Sequence, residues 1–225
     1  MKKIGFIGAY DKTDLIIYIS KLLVENGLKV LVVDGTTLQK TRYTVPCITP
    51  SRCYITTYED IDIAIGFDSL YEIKSYTQNP ELDYDIICID VDNPEGFAEF
   101  EMNISDKNYF VTAFDNYSLK RGLEIIGKSE EKNLMTKILF SRHMEKEEDE
   151  YLNFLSFYYA VNWSKEKVYF PYEVGDNSVI VENQRSARIS YKELSTEYRD
   201  GILEIISQIA PEVRLGDVKK MLKNI

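Results

Sequence analysis

Two short apolar runs separated by one amphipathic segment constrain the fold of this chain more than any other feature. The first run, residues 4–8, ends in glycine, and the second, residues 29–34, ends in aspartate. Between them, apolar residues recur at helical spacing from Leu15 to Leu23, and Gly27 supplies a helix stop. Apolar strands joined by a helix of this length predict a right-handed βαβ unit, in a parallel sheet buried on both faces.

Segments of both kinds recur along the rest of the chain. The segment 36–58 carries Pro46 and Pro50 without a clear period, which predicts a loop or irregular insertion. No repeat or Gly/Ser linker divides the chain, so we expect one doubly wound α/β domain over residues 1–225, with a mostly parallel central sheet. The further predicted strands are 85–90, 109–113, 134–140 and 168–170, and the further helices are 118–127, 147–159, 194–209 and 215–222.

Charge and composition exclude several classes of protein. The chain has 225 residues and a net charge of -10, which disfavours nonspecific binding to the phosphates of nucleic acids. Its one histidine, His143, rules out a site with several histidine ligands. Three cysteines (Cys47, Cys53 and Cys88) suggest reduced thiols, and no apolar run approaches the ~18 residues of a membrane span. We therefore expect a cytoplasmic protein without an integral membrane segment.

Ligands of open parallel sheets bind at the carboxyl ends of the strands, which locates the candidate site. Lys12 and Thr13 follow the first strand where a phosphate loop carries its Lys and Ser/Thr. The local alternative is that Lys12 is a solvated helix-start residue and Thr13 an N-cap. The predicted site residues are Gly8, Asp11, Lys12, Thr13, Asp34 and Asp90.

Two residues of the same loop are unfavourable for binding a phosphate. Tyr10 is bulky, and Asp11 stands where glycine would let the backbone approach the anion. Two like charges at about 4 Å repel by about 4 kcal/mol at an effective dielectric constant near 20. Asp90 and Asp92 could hold Mg²⁺, or could simply be a strand-end acid followed by a turn acid.

Beyond these local patterns, the chain resembles the ParA/MinD family of deviant-Walker P-loop ATPases. The resemblance covers most of the chain in order, and the succession of motifs is more specific than any one of them. It rests on the opening strand 3–8, Lys12 with Thr13, the segment 27–34, the Walker B-like segment 84–90, the segment 110–119 and the late segment 169–173.

The departures from that family concern its nucleotide site. The resemblance aligns the family's signature lysine, which reaches across a sandwich dimer, with Ile7, and the last glycine of its loop with Asp11. The family's second acid after strand 2 is missing, since the chain reads Asp34-Gly35-Thr36 there. Its adenine-reading Asn aligns with Ser141, whereas Asp90 keeps the place of the Walker B acid.

These substitutions predict a degenerate, non-hydrolysing relative that acts as a regulatory or assembly scaffold, because phosphoryl transfer needs several positioned groups at once. No cofactor is expected. The resemblance implies protein partners, in secretion, pilus or surface-organelle systems, and a homodimer. One alternative is a weak ATPase that uses Lys12, Thr13 and Asp90 with ATP and Mg²⁺. The other is a Rossmann-like dinucleotide site built on Gly5, Gly8 and Asp34.

Aromatic and acidic residues cluster in one later segment. The acidic stretch 145–150 is typical of a solvated helix start. An apolar stripe follows it at helical spacing, and most such stripes face the core, although a surface for a partner is the alternative. The stripe consists of Tyr151, Phe154, Leu155, Tyr158 and Tyr159.

Overall fold

The computed structural model describes residues 1–47, 51–127, 131–141 and 146–224, without the side chains of 146–148. Its strands form one eight-stranded sheet in the order β3-β4-β2-β5-β1-β6-β7-β8. All neighbouring strands are parallel except β3 and β4, which confirms the predicted α/β fold with a mostly parallel sheet. The strands are β1 (Lys2–Ile7), β2 (Val30–Asp34), β3 (Tyr54–Tyr58), β4 (Ile61–Ile65), β5 (Ile86–Val91), β6 (Lys107–Ala113), β7 (Asn133–Ser141) and β8 (Val161–Pro171).

Helices cover both faces of this sheet. Alternation along β1 sends Ile4 and Phe6 into one apolar layer and Ile7 into the other, so neither face of the strand meets water. The helices are α1 (Thr13–Glu25), α2 (Thr41–Thr44), α3 (Leu70–Thr77), α4 (Pro94–Glu99), α5 (Asn116–Ile126), α6 (Lys146–Leu155), α7 (Val174–Ser186), α8 (Thr196–Ile209) and α9 (Leu215–Asn224), with 3₁₀ turns at Met102–Ile104 and Ser156–Tyr158.

The prediction of a loop or irregular insertion over residues 36–58 was wrong in part, because this segment contains regular secondary structure. It contains α2 and the edge strand β3, which pairs antiparallel with β4 through a two-residue turn. Glu59 and Asp60 form that turn with positive φ angles of 50° and 64°. Lys21 Nζ supports the turn through a 3.2 Å hydrogen bond to the Glu59 carbonyl oxygen. Neither turn residue is glycine or asparagine, so the sequence carried no hairpin signal.

Two other predictions of secondary structure were incomplete. Strand β8 covers 11 residues rather than 168–170, because a register shift opposite Met135 and Lys137 interrupts its alternating pattern. Helices α3, α4 and α7 were not predicted; they are short or polar, and few of their residues are buried. Within the described ranges, no helix is long and apolar enough to cross a membrane.

The prediction that the aromatic stripe of the 147–159 segment packs in the core was wrong for most of its members. Phe154 and Tyr158 are 76% exposed, and Tyr151 is also exposed. Leu155 and Tyr159 alone of the stripe are partly buried against the core. The acidic stretch 145–150 lies mainly outside the residues whose side chains are described, as does His143.

Candidate functional site

The carboxyl ends of β1, β2 and β5 bring the predicted site residues to one edge of the sheet. Strand β5 lies between β1 and β2 and is parallel to both, so the loops that follow these strands meet. Asp34 and Asp90 are register partners at the ends of β2 and β5. The loop 8–12 after β1 lies beside them and carries Gly8, Asp11 and Lys12, and Thr13 follows as the first residue of α1.

The side chain of Lys12 turns inward, contrary to the alternative of a solvated helix-start residue. Its Nζ atom lies 2.6 Å from Oδ1 of Asp90, and the two side chains are only 2% and 5% exposed. Nζ also donates a 2.8 Å hydrogen bond to the Gly8 carbonyl oxygen. The loop therefore closes on its own lysine.

The electrostatics of Asp90 follow from burial among other charges. Burial raises the pKa of Asp90 to about 7, although the nearby Lys12 ammonium opposes that rise. The neighbouring Asp34 carboxylate adds to the increase, because two adjacent negative charges disfavour each other. This carboxyl group therefore depends on Lys12 for its negative charge near neutral pH.

Asp11 puts a carboxylate at the N-terminus of α1. Its Oδ1 accepts a 3.2 Å hydrogen bond from the Thr13 backbone N–H, and its Oδ2 pairs with Lys40 Nζ at 2.8 Å. Burial alone would raise the pKa of Asp11, but the hydrogen bonds from Lys40 and Thr13 hold it below its ordinary value. Helix N-termini attract anions, so this end of α1 already has a negative partner.

Thr13 and Asp34 have local structural roles. Thr13 is the buried first residue of α1 rather than its N-cap. Oδ1 of Asp34 accepts hydrogen bonds from the backbone N–H (3.0 Å) and hydroxyl (2.6 Å) of Thr36. Oδ2 of Asp34 accepts a 3.0 Å bond from the Thr41 N–H at the start of α2. Both carboxylate oxygens of Asp34 thus organise the chain after β2.

Gly8 is required by close packing of the backbone. Its φ angle is +150°, and a Cβ atom there would lie 2.1 Å from the Val111 carbonyl oxygen of β6. Gly5, the other glycine of the Rossmann alternative, lies inside β1, where a Cβ would meet the Asn108 side chain. Packing therefore accounts for both glycines without a ligand.

Tyr10 fills the space between the loop and the ends of β7 and β8. Its ring centroid lies 4.7 Å from that of Phe140 and 6.4 Å from that of Tyr172. Burial, together with a hydrogen bond to Tyr172, raises the pKa of Tyr10 well above its ordinary range. Ser141, aligned by resemblance with the adenine-reading Asn, ends β7 in the same area. Aromatic side chains thus occupy the surroundings of this strand end.

The cavity next to the loop is small. It has a volume of about 210 Å³ and is lined by loop residues together with Lys40, Asp92 and Tyr117. Pockets for small molecules typically enclose roughly 300–1,000 Å³. Oδ1 of Asp92 accepts bonds from the backbone N–H (2.8 Å) and hydroxyl (3.0 Å) of Thr37, so it ties two loops together. Across the described ranges, no cluster of three or more His, Cys, Asp or Glu side chains could hold a metal ion.

Sequence reasoning did not find the partners of the loop residues. Lys40, which pairs with Asp11, lies in the segment without clear periodicity, and no motif marked it. Phe140 ends the predicted strand 134–140 and Tyr172 lies in the late segment 169–173, but nothing in the sequence indicated that they contact Tyr10. The pairing of Lys12 with Asp90 had one available signal, because both residues were expected at the carboxyl ends of strands in one parallel sheet.

Comparison with solved structures places the fold. A chain of the MinC:MinD cell division protein complex of Aquifex aeolicus superposes with a TM-score of 0.59 at 15% identity, covering 95% of this chain and 98% of that one. A ParA-family ATPase from Chlorobium tepidum TLS gives 0.54 at 14% identity, with 96% and 95% covered. A plasmid partition protein from Borrelia burgdorferi B31 bound to AMPPNP gives 0.55 at 14% identity, with 92% and 98% covered.

The order of the strands and the similarity to these solved structures together define a P-loop NTPase-like α/β fold. More narrowly, the chain has the fold of MinD and the ParA-family ATPases, as its sequence motifs predicted. No model of a known protein family matches the sequence, and no curated protein does either.

Proposed function

We propose that this protein is a ParA/MinD-like scaffold that acts through protein–protein contacts and whose phosphate loop does not support ATP hydrolysis. The observation that carries the proposal is the position of Lys12. Its ammonium group is buried against Asp90 at 2.6 Å and donates a hydrogen bond to the Gly8 carbonyl oxygen, so both contacts of the charge are made inside the protein. A lysine held in this way neutralises an internal carboxylate instead of a ligand.

The remainder of the loop supports the same conclusion. Asp11 accepts the Thr13 N–H and pairs with Lys40, so a carboxylate takes the donor that a phosphate loop offers its anion. Phosphoryl transfer depends on positioning and charge stabilisation by several groups together. Ile7 is fully buried in β1 and cannot reach another subunit. The residues present do not fit ATP with Mg²⁺, and we expect no cofactor.

The structural neighbours also bear on the partners of this protein. The MinC:MinD complex is an assembly of two proteins, which favours protein partners for a chain with the same fold. We propose that the protein is cytoplasmic, that it forms a homodimer, and that it serves a secretion, pilus or surface-organelle system. Its net charge of -10 argues against nucleic acid as the partner.

A weak ATPase is the second candidate function. It is favoured by the presence of Lys12, Thr13 and Asp90 at the same strand ends, and by a structural neighbour that binds AMPPNP. In that case ATP would have to displace Asp90 from Lys12 and Asp11 from the helix terminus. No specific observation favours the Rossmann-like alternative.

ATP turnover separates the two candidates. Wild-type protein, Lys12→Ala and the control Lys40→Ala are compared with and without Mg²⁺. The scaffold proposal expects the same near-background rate in all three samples. A wild-type rate that falls at least tenfold in Lys12→Ala but not in Lys40→Ala would establish the ATPase instead. Circular dichroism of each variant checks that it is folded.

A further inference from the structure

The two edges of the sheet are protected unequally. Strand β3 forms one edge and β8 the other. An edge strand leaves a row of backbone N–H and C=O groups unpaired, and proteins usually guard such a row with charged side chains, above all Lys. The centre of β8 follows this rule, since it reads Lys165-Glu166-Lys167. Strand β3 reads Tyr-Ile-Thr-Thr-Tyr over residues 54–58, so its edge carries no charge.

The hairpin determines which backbone groups of β3 point outward. The two-residue turn 59–60 closes on a hydrogen-bonded pair, Tyr58 with Ile61. Hydrogen-bonded and non-bonded pairs alternate from there, so the N–H and C=O groups of Ile55 and Thr57 point away from β4. Within the described part of the chain, no hydrogen bond from outside the sheet reaches these groups, and Thr57 is exposed.

The sequence of β3 is complementary to itself when two copies run antiparallel. With Thr56 opposite Thr56 of the second copy, Ile55 lies opposite Thr57, and Tyr54 lies opposite Tyr58. Thr–Thr, β-branched and aromatic pairs of this kind are stabilising across strands. In the same register, the outward backbone groups of Ile55 meet those of Thr57 of the second copy, so each N–H finds a C=O.

The charges that flank β3 fit this register. Beyond the strand, it brings Asp60 of the turn toward Arg52 of the second copy, and the two-fold symmetry repeats the contact. The Asp60 side chain is 83% exposed and lies 3.9 Å from Lys21 Nζ. Arg52 is exposed, and its guanidinium group pairs with no acid among the residues that the structure describes. Opposite charges therefore meet at both ends of the paired strands.

Strand β8 does not offer such a contact. Antiparallel pairing about Glu166 would put two copies of Glu166 opposite each other and Lys165 opposite Lys167, and like charges that face each other are destabilising. Two of these side chains also have partners within the chain, since Glu166 pairs with Lys107 and Lys167 pairs with Asp149. The favourable edge for a second copy is therefore β3.

We propose that two copies of this chain associate through β3, which pairs antiparallel about Thr56 and joins the two sheets into one. This inference rests on the homodimer of the proposed function and identifies its interface. Paired strands of five residues bury less than the about 800 Å² per partner of a stable interface. The dimer is therefore weak and reversible, with a Kd of about 10–100 µM. It forms without nucleotide, because the contact does not use the loop 8–12.

Residue 56 lies on the two-fold axis, which gives the interface a specific test. Sedimentation velocity of the full-length protein, over a range of concentrations, compares the wild type with Thr56→Lys and Thr56→Glu. Each variant alone places like charges opposite each other and should weaken dimerisation at least tenfold, whereas an equal mixture of the two should recover it. The matched control Asn162→Lys adds a charge at an exposed position of β8 and should leave the Kd unchanged.

The flanking charges supply a second variant that leaves the strand intact. Arg52→Glu should weaken dimerisation at least threefold, and Asp60→Lys added to it should restore the wild-type Kd, because both charges are then reversed. Hydrogen exchange supplies a second readout. The N–H groups of Ile55 and Thr57 should exchange more slowly as the protein concentration rises through the Kd.

The outcomes separate this interface from the rest of the account. A wild-type protein that stays monomeric at about 200 µM would overturn both the interface and the proposed homodimer. A dimer that persists in Thr56→Lys, or one that the mixture with Thr56→Glu does not restore, would overturn the interface and leave the homodimer. Neither result bears on the inactive loop, because no measurement here involves ATP.

Discussion

Nζ of Lys12 lies 2.6 Å from Oδ1 of Asp90, and both side chains are almost completely buried. The residues follow or end neighbouring parallel strands, β1 and β5, so the sheet itself brings them together. Each one neutralises a charge that would otherwise be isolated from water. This relationship makes the loop a structural element of the protein.

The stability of the protein is expected to depend on both members of this pair. Removing one partner of a buried ion pair leaves an uncompensated charge and costs about 3–5 kcal/mol, whereas replacing both can be nearly neutral. Lys12→Met should therefore lower the free energy of unfolding by about 3 kcal/mol, and Asp90→Asn added to it should restore most of the loss. Urea denaturation of the single and double variants measures this, and additive losses would show that the pair is not coupled.

The cost of Lys12→Met should increase with pH. Burial already raises the pKa of Asp90 to about 7 in the folded protein, above the ordinary value near 4. A raised pKa means that the stability contribution of Asp90 is greatest below about pH 4 and decreases as pH rises through the folded value. Without Lys12 the folded pKa rises further, so the stability difference from wild type widens between about pH 6 and pH 9.

The pH series of urea denaturation has its own control. The double variant Lys12→Met with Asp90→Asn has no titrating group at this position. The difference in the free energy of unfolding between it and Lys12→Met therefore reports the titration of Asp90 alone. A difference that stays constant across the series would contradict the assigned pKa of Asp90.

Asp11 is expected to exclude anions from the loop. Asp11→Gly removes the carboxylate from the Thr13 N–H and frees Lys40. Since glycine is tolerated at helix N-termini, stability should decrease by about 1 kcal/mol or less. Affinity for pyrophosphate, measured by calorimetry, should increase at least tenfold. Lys40→Met keeps the carboxylate and should show no gain; equal affinities in all three proteins would contradict a blocking role for Asp11.

Gly8 is expected to be intolerant of any side chain. Gly8→Ala places a Cβ against the Val111 carbonyl oxygen at a φ of +150°, and should cost about 2–4 kcal/mol. The matched control is Gly27→Ala, where φ is +84° but no atom lies within 4 Å, and the expected loss is about 1 kcal/mol. Thermal unfolding of both variants tests this, and similar losses would show that close approach to β6 is not important.

The sequence was sufficient to predict the centre of this fold. Strands β1, β2 and β5 are continuous apolar runs because both of their faces are buried, and that pattern is hard to mistake. At the sheet edges the information was weaker. The hairpin turn at Glu59 and Asp60 takes left-handed angles without the usual residues, and β8 is interrupted by a register shift.

The candidate site was predicted as a set of residues but not as a set of contacts. The strand ends correctly grouped Lys12, Asp34 and Asp90 at one edge of the sheet. Whether Lys12 faces solvent or Asp90 depends on the path of the loop, which no local pattern encodes. In the same way, helical spacing showed that Phe154 and Tyr158 share one face of α6, but not that this face points away from the core.

Isothermal titration calorimetry of the wild-type protein with ATP and Mg²⁺ tests the central claim most directly. Because the side chains of Lys12 and Asp11 already fill the binding positions of the loop, we predict no saturable heat. Any binding of ATP should be weaker than about 10 µM, on a scale where 1 µM corresponds to about -8.2 kcal/mol. Stoichiometric binding below that concentration, lost in Lys12→Ala and retained in Lys40→Ala, would contradict the account.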